Sequence, residues 1–136
     1  MMRSLLRLRT PLSVARGDGS IKSGAEHWLA QRFSAVLLVF LGLWFVATVL
    51  SHLGLDAAGW RQVFATPFNA LLSLAFLLSA LFHGYLGMQV IIEDYIHHRG
   101  MRLACLWFIR ALSLLAALGA TLALIYLLMT HATPIA

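Results

Sequence analysis

The chain has 136 residues, of which 61% are hydrophobic and 11% are charged, and its formal net charge is +5. This length predicts a single domain. The charged residues are confined to short segments, and the basic ones flank apolar stretches instead of forming a patch, so we expect no nucleic-acid partner. Cys105 is the only cysteine, which excludes an internal disulfide.

Three long apolar windows follow one another along the chain. Residues 33–51 and 62–92 contain no Asp, Glu, Lys or Arg, and residues 103–130 contain only Arg110. A bilayer core of roughly 30 Å needs about 20 apolar residues as a helix, and a backbone in lipid must satisfy its own hydrogen bonds. The sequence therefore predicts an all-α membrane protein with three transmembrane helices. These spans run over residues 28–51, 67–95 and 102–130, with an outer loop at 52–65 and an inner loop at 96–100.

The basic residues are distributed unequally between the two ends of these spans. Nine of them share one side: Arg3, Arg7, Arg9, Arg16, Lys22, Arg32, Arg99, Arg102 and Arg110. Only Arg61 lies between the first and second spans. The positive-inside rule then predicts a cytoplasmic N-terminus and an external C-terminus. We expect a cytoplasmic arm at residues 1–26, an anchor domain at 27–130 and a periplasmic tail at 131–136.

The N-terminal arm is rich in arginine and has no acidic residue before Asp18. Its apolar run is too short for a secretory signal. A mitochondrial presequence would have a similar composition, so the mitochondrial inner membrane is the alternative location. We favour a multi-pass protein of the bacterial inner (cytoplasmic) membrane. Three helices bury little in one another, which predicts packing against lipid and partner subunits.

His83 lies deep in the second predicted span. It precedes the cytoplasmic end of that span by about ten residues, or about 15 Å at 1.5 Å per residue. An ionisable side chain at that depth is costly and marks a functional site, and a neutral imidazole is a common haem ligand. The small residues Ala80, Gly84 and Gly87 would allow a flat macrocycle or a neighbouring helix to approach. Composition alone does not decide between a haem ligand and a histidine hydrogen-bonded to a neighbouring helix.

Asp94 and Tyr95 end the second span. Eleven residues at 100° each return to nearly the same direction, so His83, Gly87 and Asp94 share one stripe of the helix. A carboxylate and a phenol at the interface can bind and protonate a quinone oxygen, and ordinary capping of a membrane helix is the alternative. At the start of the first span, Arg32 could pair with a carboxylate such as a haem propionate; topology anchoring is the alternative there.

These residues resemble a known family. The pattern His83, Gly87-Met88 and Asp94-Tyr95, together with His27-Trp28 and Gln31-Arg32 entering the first span, is similar to the hydrophobic membrane anchor subunit of succinate dehydrogenase (respiratory complex II). The likeness is to the smaller, cytochrome b556-associated anchor of alphaproteobacterial type. It covers the chain from about Gly24 to about Leu128.

The resemblance implies a role for each of these residues. His83 is the axial ligand of haem b that this subunit contributes to a site shared with the partner anchor subunit. Arg32 and His27 lie near the haem propionates. Tyr95, with Asp94, binds ubiquinone.

The resemblance also implies partners and a function. The partners are the cytochrome b556 anchor subunit, the iron–sulfur subunit and the flavoprotein subunit, and the chain is a non-catalytic subunit of succinate:ubiquinone oxidoreductase in the respiratory chain and tricarboxylic acid cycle. Two alternatives stay open. One is a quinol:fumarate reductase anchor, and the other is a membrane structural or transport subunit without redox chemistry.

Overall fold

The computed structural model describes the backbone of residues 20–132 and the side chains of residues 24–130. Residues 1–19 of the predicted arm and residues 133–136 of the predicted tail lie outside this part. The side chains of residues 20–23 and 131–132 also lie outside it. Within it the helices are joined by short connections, and there is no strand. The four helices are α1 at Ser20–Ser51, α2 at Ala57–Ala65, α3 at Pro67–Tyr95 and α4 at Arg99–Ala132. Residues from Gln31 onward belong to one compact unit.

Three of the helices are long and apolar enough to cross a membrane. The candidate spans are Gly24–Ser51, Pro67–Tyr95 and Arg99–Thr130. The predicted fold class is therefore confirmed. The second span has the predicted bounds, because Pro67 suits the first turn of a helix, where its missing N–H is not needed. The first helix begins earlier than predicted and continues through Gly24. The cytoplasmic side of the N-terminus stays a prediction.

The connection between the first two spans contains the short helix α2, which the sequence analysis did not predict. Gly54 has a φ of 94°, a left-handed conformation that glycine adopts without steric cost. Asp56 then caps α2, since its Oδ1 accepts a hydrogen bond of 2.8 Å from the backbone N–H of Gly59. A turn residue followed by a capping aspartate is the local signal for this helix.

Small and polar side chains form much of the interior. Ser34, Leu41 and Thr48 are all buried and lie seven residues apart, which places them on one face of α1. The rings of Phe45 and Phe76 stack with centroids 5.1 Å apart, which joins α1 to α3. Small residues let membrane helices approach closely. The large apolar side chains are mostly exposed, as expected of a surface that meets lipid or other subunits.

Ala70 on α3 offers a test of this close packing. Its side chain is only 2% exposed. We expect Ala70→Leu to lower the melting temperature of the detergent-solubilised protein, because overpacking costs about 1–3 kcal/mol. Ala70→Ser is the matched control, since its small hydroxyl can bond to the carbonyl of Thr66 one turn earlier. Equal melting temperatures for the leucine and serine variants would contradict close packing at this position.

Candidate functional site

His83 lies on α3, half-buried, with its ring against α1. Its Nδ1 is 3.0 Å from the hydroxyl oxygen of Ser34. Its Nε2 is 3.3 Å from the side-chain nitrogen of Gln31. Both ring nitrogens therefore contact α1, as the neighbouring-helix alternative predicts. These contacts hold the imidazole in one orientation, which a metal ligand also requires.

Ser34 and Gln31 are the site residues that the sequence analysis did not identify. In the sequence, Gln31 belongs to the family pattern without an assigned role, and Ser34 lies outside that pattern. They lie one helical turn apart on α1, and the Ser34 hydroxyl donates a hydrogen bond of 3.0 Å to the Gln31 carbonyl. A polar pair at i and i+3 where the first span begins is the signal that could have revealed them.

Glycines leave space beside His83. A Cβ added at Gly84 would meet nothing within 4 Å. A Cβ added at Gly87 would lie 3.7 Å from the side-chain nitrogen of Gln31, an ordinary contact. Gly87 therefore faces the Gln31 amide on the same side of α3 as His83. The Oε1 of that amide is buried and has no hydrogen-bond partner among the described residues.

Asp94 and Tyr95 are the last two residues of α3, and both are exposed. Tyr95 is 79% exposed. Because α3 is one continuous helix, the predicted register holds, and Asp94 lies about 16 Å along the axis from His83. Within residues 24–130, no side-chain hydrogen bond or ion pair joins either residue to another part of the chain. The structure thus leaves both polar groups open to a ligand or to another subunit.

The two predicted propionate partners lie on α1. Arg32 is exposed and follows Gln31 directly. His27 is half-buried in the segment before Gln31, and its Nε2 is buried without a hydrogen-bond partner among the residues that the structure describes. Their predicted roles stay predictions.

Arg110 lies inside the third span, beside a cleft between α3 and α4. The cleft has a volume of about 280 Å³, and its lining includes Tyr85, Ser113 and Arg110 among apolar residues. The Arg110 guanidinium lies 5.9 Å from the ring centroid of Trp107, one turn nearer the start of α4. This contact draws the charge toward the start of α4, as expected of a basic side chain that extends toward the membrane surface.

The donor set limits which metal centres the site could hold. In the part of the chain that the structure describes, no group of three or more His, Cys, Asp or Glu side chains could hold a metal ion. A haem iron is different, because its porphyrin supplies four ligands and a protein chain needs to supply only one axial nitrogen. His83 has the one nitrogen that this requires, its Nε2, which contacts the Gln31 amide at 3.3 Å, and the neighbouring Gly84 leaves open space on α3.

Comparisons with known proteins agree on one family. A family model described as the transmembrane subunit of succinate dehydrogenase or fumarate reductase matches residues 7–128. The chain is 33% identical over 118 residues to a succinate dehydrogenase hydrophobic membrane anchor subunit of Rickettsia bellii. The aligned region covers 87% of this chain and 94% of the relative.

Two further relatives come from other lineages. The chain is 33% identical over 90 residues to the hydrophobic membrane anchor subunit of Paracoccus denitrificans, covering 66% of this chain and 70% of the relative. It is also 33% identical over 96 residues to the membrane anchor subunit of Reclinomonas americana, and this alignment covers 68% of this chain and 80% of the relative. All three relatives carry the name of succinate dehydrogenase.

Proposed function

The chain belongs to the succinate dehydrogenase/fumarate reductase transmembrane subunit family, and we propose that it anchors a succinate:ubiquinone oxidoreductase in the membrane. The observation that carries this proposal is the family match along nearly the whole chain, combined with three helices able to cross a bilayer. The chain would attach the flavoprotein and iron–sulfur subunits, which oxidise succinate to fumarate, to the bacterial inner membrane.

The second part of the proposal is a haem b shared with the partner cytochrome b556 anchor subunit. His83 would supply one nitrogen ligand to the haem, and the partner subunit would supply another. The support is the depth of His83 in α3, the single orientation of its ring and the space at Gly84. Arg32 and His27 would lie near the propionates. A haem b held in this way supplies one-electron chemistry within the membrane.

The third part is a ubiquinone site at Tyr95 and Asp94. Reduction of ubiquinone takes up the two electrons released by succinate and two protons. The phenol of Tyr95 would donate a hydrogen bond to a quinone oxygen and orient the ring, and Asp94 at the membrane edge would help to return a proton from water. Their exposure and their lack of partners in the described part of the chain support this role.

A deletion experiment tests the anchor function. We expect cells without this chain to lose membrane-bound succinate oxidation, measured with an artificial electron acceptor, because the proposed membrane anchor is built from this chain and the partner anchor subunit together. The activity should appear in the soluble fraction or disappear with the unassembled subunits. Expression of the chain from a plasmid should restore it to the membrane. Succinate oxidation that stays fully membrane-bound after the deletion would contradict the anchor role.

A quinol:fumarate reductase anchor is a second candidate, because the family description covers both enzymes. The same residues would then act on a quinol, with electrons passing to fumarate. The relative rates of the two directions in purified complex, with quinones of high and low potential, separate the candidates. The names of the relatives favour succinate dehydrogenase.

A non-redox transport subunit has less support. Between His83 and Glu93 only Tyr85 and Gln89 could carry a proton, and the Gln89 side chain donates its hydrogen bond to Glu93 instead of facing His83. A proton path normally requires a longer chain of polar groups. An optical spectrum of the purified complex, with or without a haem band, would distinguish this alternative.

A further inference from the structure

Ser34 is a buried hydroxyl with two hydrogen-bond partners. Its side chain is only 4% exposed. Its Oγ lies 3.0 Å from the carbonyl oxygen of Gln31 and 3.0 Å from the Nδ1 of His83. A hydroxyl has a single proton to donate but can also accept. If the Ser34 hydroxyl donates its proton in one of these contacts, it must accept a proton in the other.

The direction follows from the chemistry of the three groups. A carbonyl oxygen only accepts, so the Ser34 proton must point to the Gln31 carbonyl for that contact to be a hydrogen bond. The Ser34 oxygen then accepts from an N–H on Nδ1 of His83. A neutral imidazole carries one N–H, so Nε2 keeps its lone pair. The Gln31 amide, 3.3 Å away, can donate to that lone pair.

The opposite tautomer fits these contacts less well. With the proton on Nε2, the Ser34 hydroxyl would have to donate to Nδ1. Its oxygen would then face the Gln31 carbonyl oxygen at 3.0 Å with no proton between them. The ring N–H would also face the nitrogen of the Gln31 amide unless that amide turned over. Only the tautomer protonated on Nδ1 makes all three contacts favourable as they stand.

We propose that Ser34 is a positioning residue that holds His83 in the Nδ1–H tautomer and so presents the Nε2 lone pair for the haem iron. This inference rests on the proposed haem site. The Gln31 amide contacts that nitrogen at 3.3 Å and would have to turn away for iron to bind there, and its Oε1 has no partner among the described residues. Gly87 leaves room beside the amide.

The hydrogen bond also changes the electronic character of the ligand. An acceptor on Nδ1–H makes the imidazole a stronger electron donor, which stabilises the ferric iron more than the ferrous iron. Ser34 should therefore hold the haem potential below the value it would have without the hydroxyl. A residue that only fills space would not have this effect.

The test uses the complete complex in native membranes. In Ser34→Ala we expect a haem midpoint potential shifted upward, an altered low-spin electron paramagnetic resonance signal and roughly tenfold weaker haem retention, the effect typical of losing such an outer partner. Ser34→Thr keeps the hydroxyl and should restore the potential. Thr48→Ala is the matched control, because Thr48 is buried on the same face of α1 and its hydroxyl, among the described residues, bonds only to the carbonyl of Trp44.

Two sets of results would overturn the inference. A wild-type potential and signal in Ser34→Ala would show that the hydroxyl does not act on the haem. An equal shift in Thr48→Ala, or no rescue by Ser34→Thr, would show a packing effect. His83→Leu, measured in parallel, separates the two proposals. If low-spin haem persists in that variant, the ligand proposal fails. If low-spin haem is lost there but Ser34→Ala is unshifted, only the role of Ser34 fails.

Discussion

Replacing His83 with leucine is expected to abolish the low-spin haem spectrum of the complex. Leucine has about the right volume for the site but offers no nitrogen to iron. Without the His83 nitrogen, only the partner subunit's ligand would hold the haem, so we expect the low-spin signal to disappear. Haem content should fall as well, although the partner subunit's ligand could retain a five-coordinate, high-spin fraction. The measurement is the optical and electron paramagnetic resonance spectrum of purified complex, normalised to flavin.

The control for this variant is His52→Leu. His52 lies just beyond the end of α1, and its Nδ1 contacts the carbonyl of Thr48. The same substitution there removes a histidine that is far along the chain from the site, so the haem spectrum should be unchanged. An unaltered low-spin spectrum and haem content in His83→Leu would rule out His83 as the axial ligand. The contacts with Ser34 and Gln31 would then be purely structural.

Replacing Tyr95 with phenylalanine is expected to lower ubiquinone reduction by succinate while succinate oxidation with an artificial acceptor persists. The size of the loss distinguishes two roles. Loss of one hydrogen bond costs about 1 kcal/mol, or roughly fivefold, whereas loss of a positioned proton donor costs roughly 100-fold or more. We expect a loss between about fivefold and 100-fold in kcat/KM for ubiquinone.

Tyr126→Phe is the control for this variant. Tyr126 is 72% exposed and lies near the C-terminal end of α4, whereas Tyr95 lies just before the N-terminal end of α4. Removing the Tyr126 hydroxyl should therefore leave both activities unchanged. If Tyr95→Phe lowered both activities together, the defect would lie in assembly and the quinone role would lose its support. Unchanged activity with both acceptors would also contradict the proposed role of the phenol.

Much of the architecture could be predicted because it follows from the bilayer. A stretch such as residues 67–92, which has no Asp, Glu, Lys or Arg, is predicted to be a helix in lipid, where the backbone must form its own hydrogen bonds. Pro67 marked the start of α3, and the polar residues at 93–95 marked its end. Helix α2 could not be predicted in this way, because a single capping bond from the Gly59 N–H to the Asp56 carboxylate is too local a signal to appear in hydropathy.

The register along α3 was also determined by the sequence alone. Once the segment is a continuous helix, its geometry places His83, Gly87 and Asp94 on one stripe and sets their separation along the axis. That stripe, together with the family resemblance, was sufficient to identify the candidate residues. It did not identify the side chains that the ring of His83 contacts on another helix.

Only the tertiary structure decided that question. Ser34 and His83 are 49 residues apart, and the small and polar residues of each span mark a possible contact face without identifying the helix that packs against it. The small and polar residues of α1 bring the two backbones close, and this packing places the Ser34 hydroxyl on one ring nitrogen and the Gln31 amide on the other. Helical periodicity is a property of one segment, whereas a hydrogen bond between helices depends on the rotation of both.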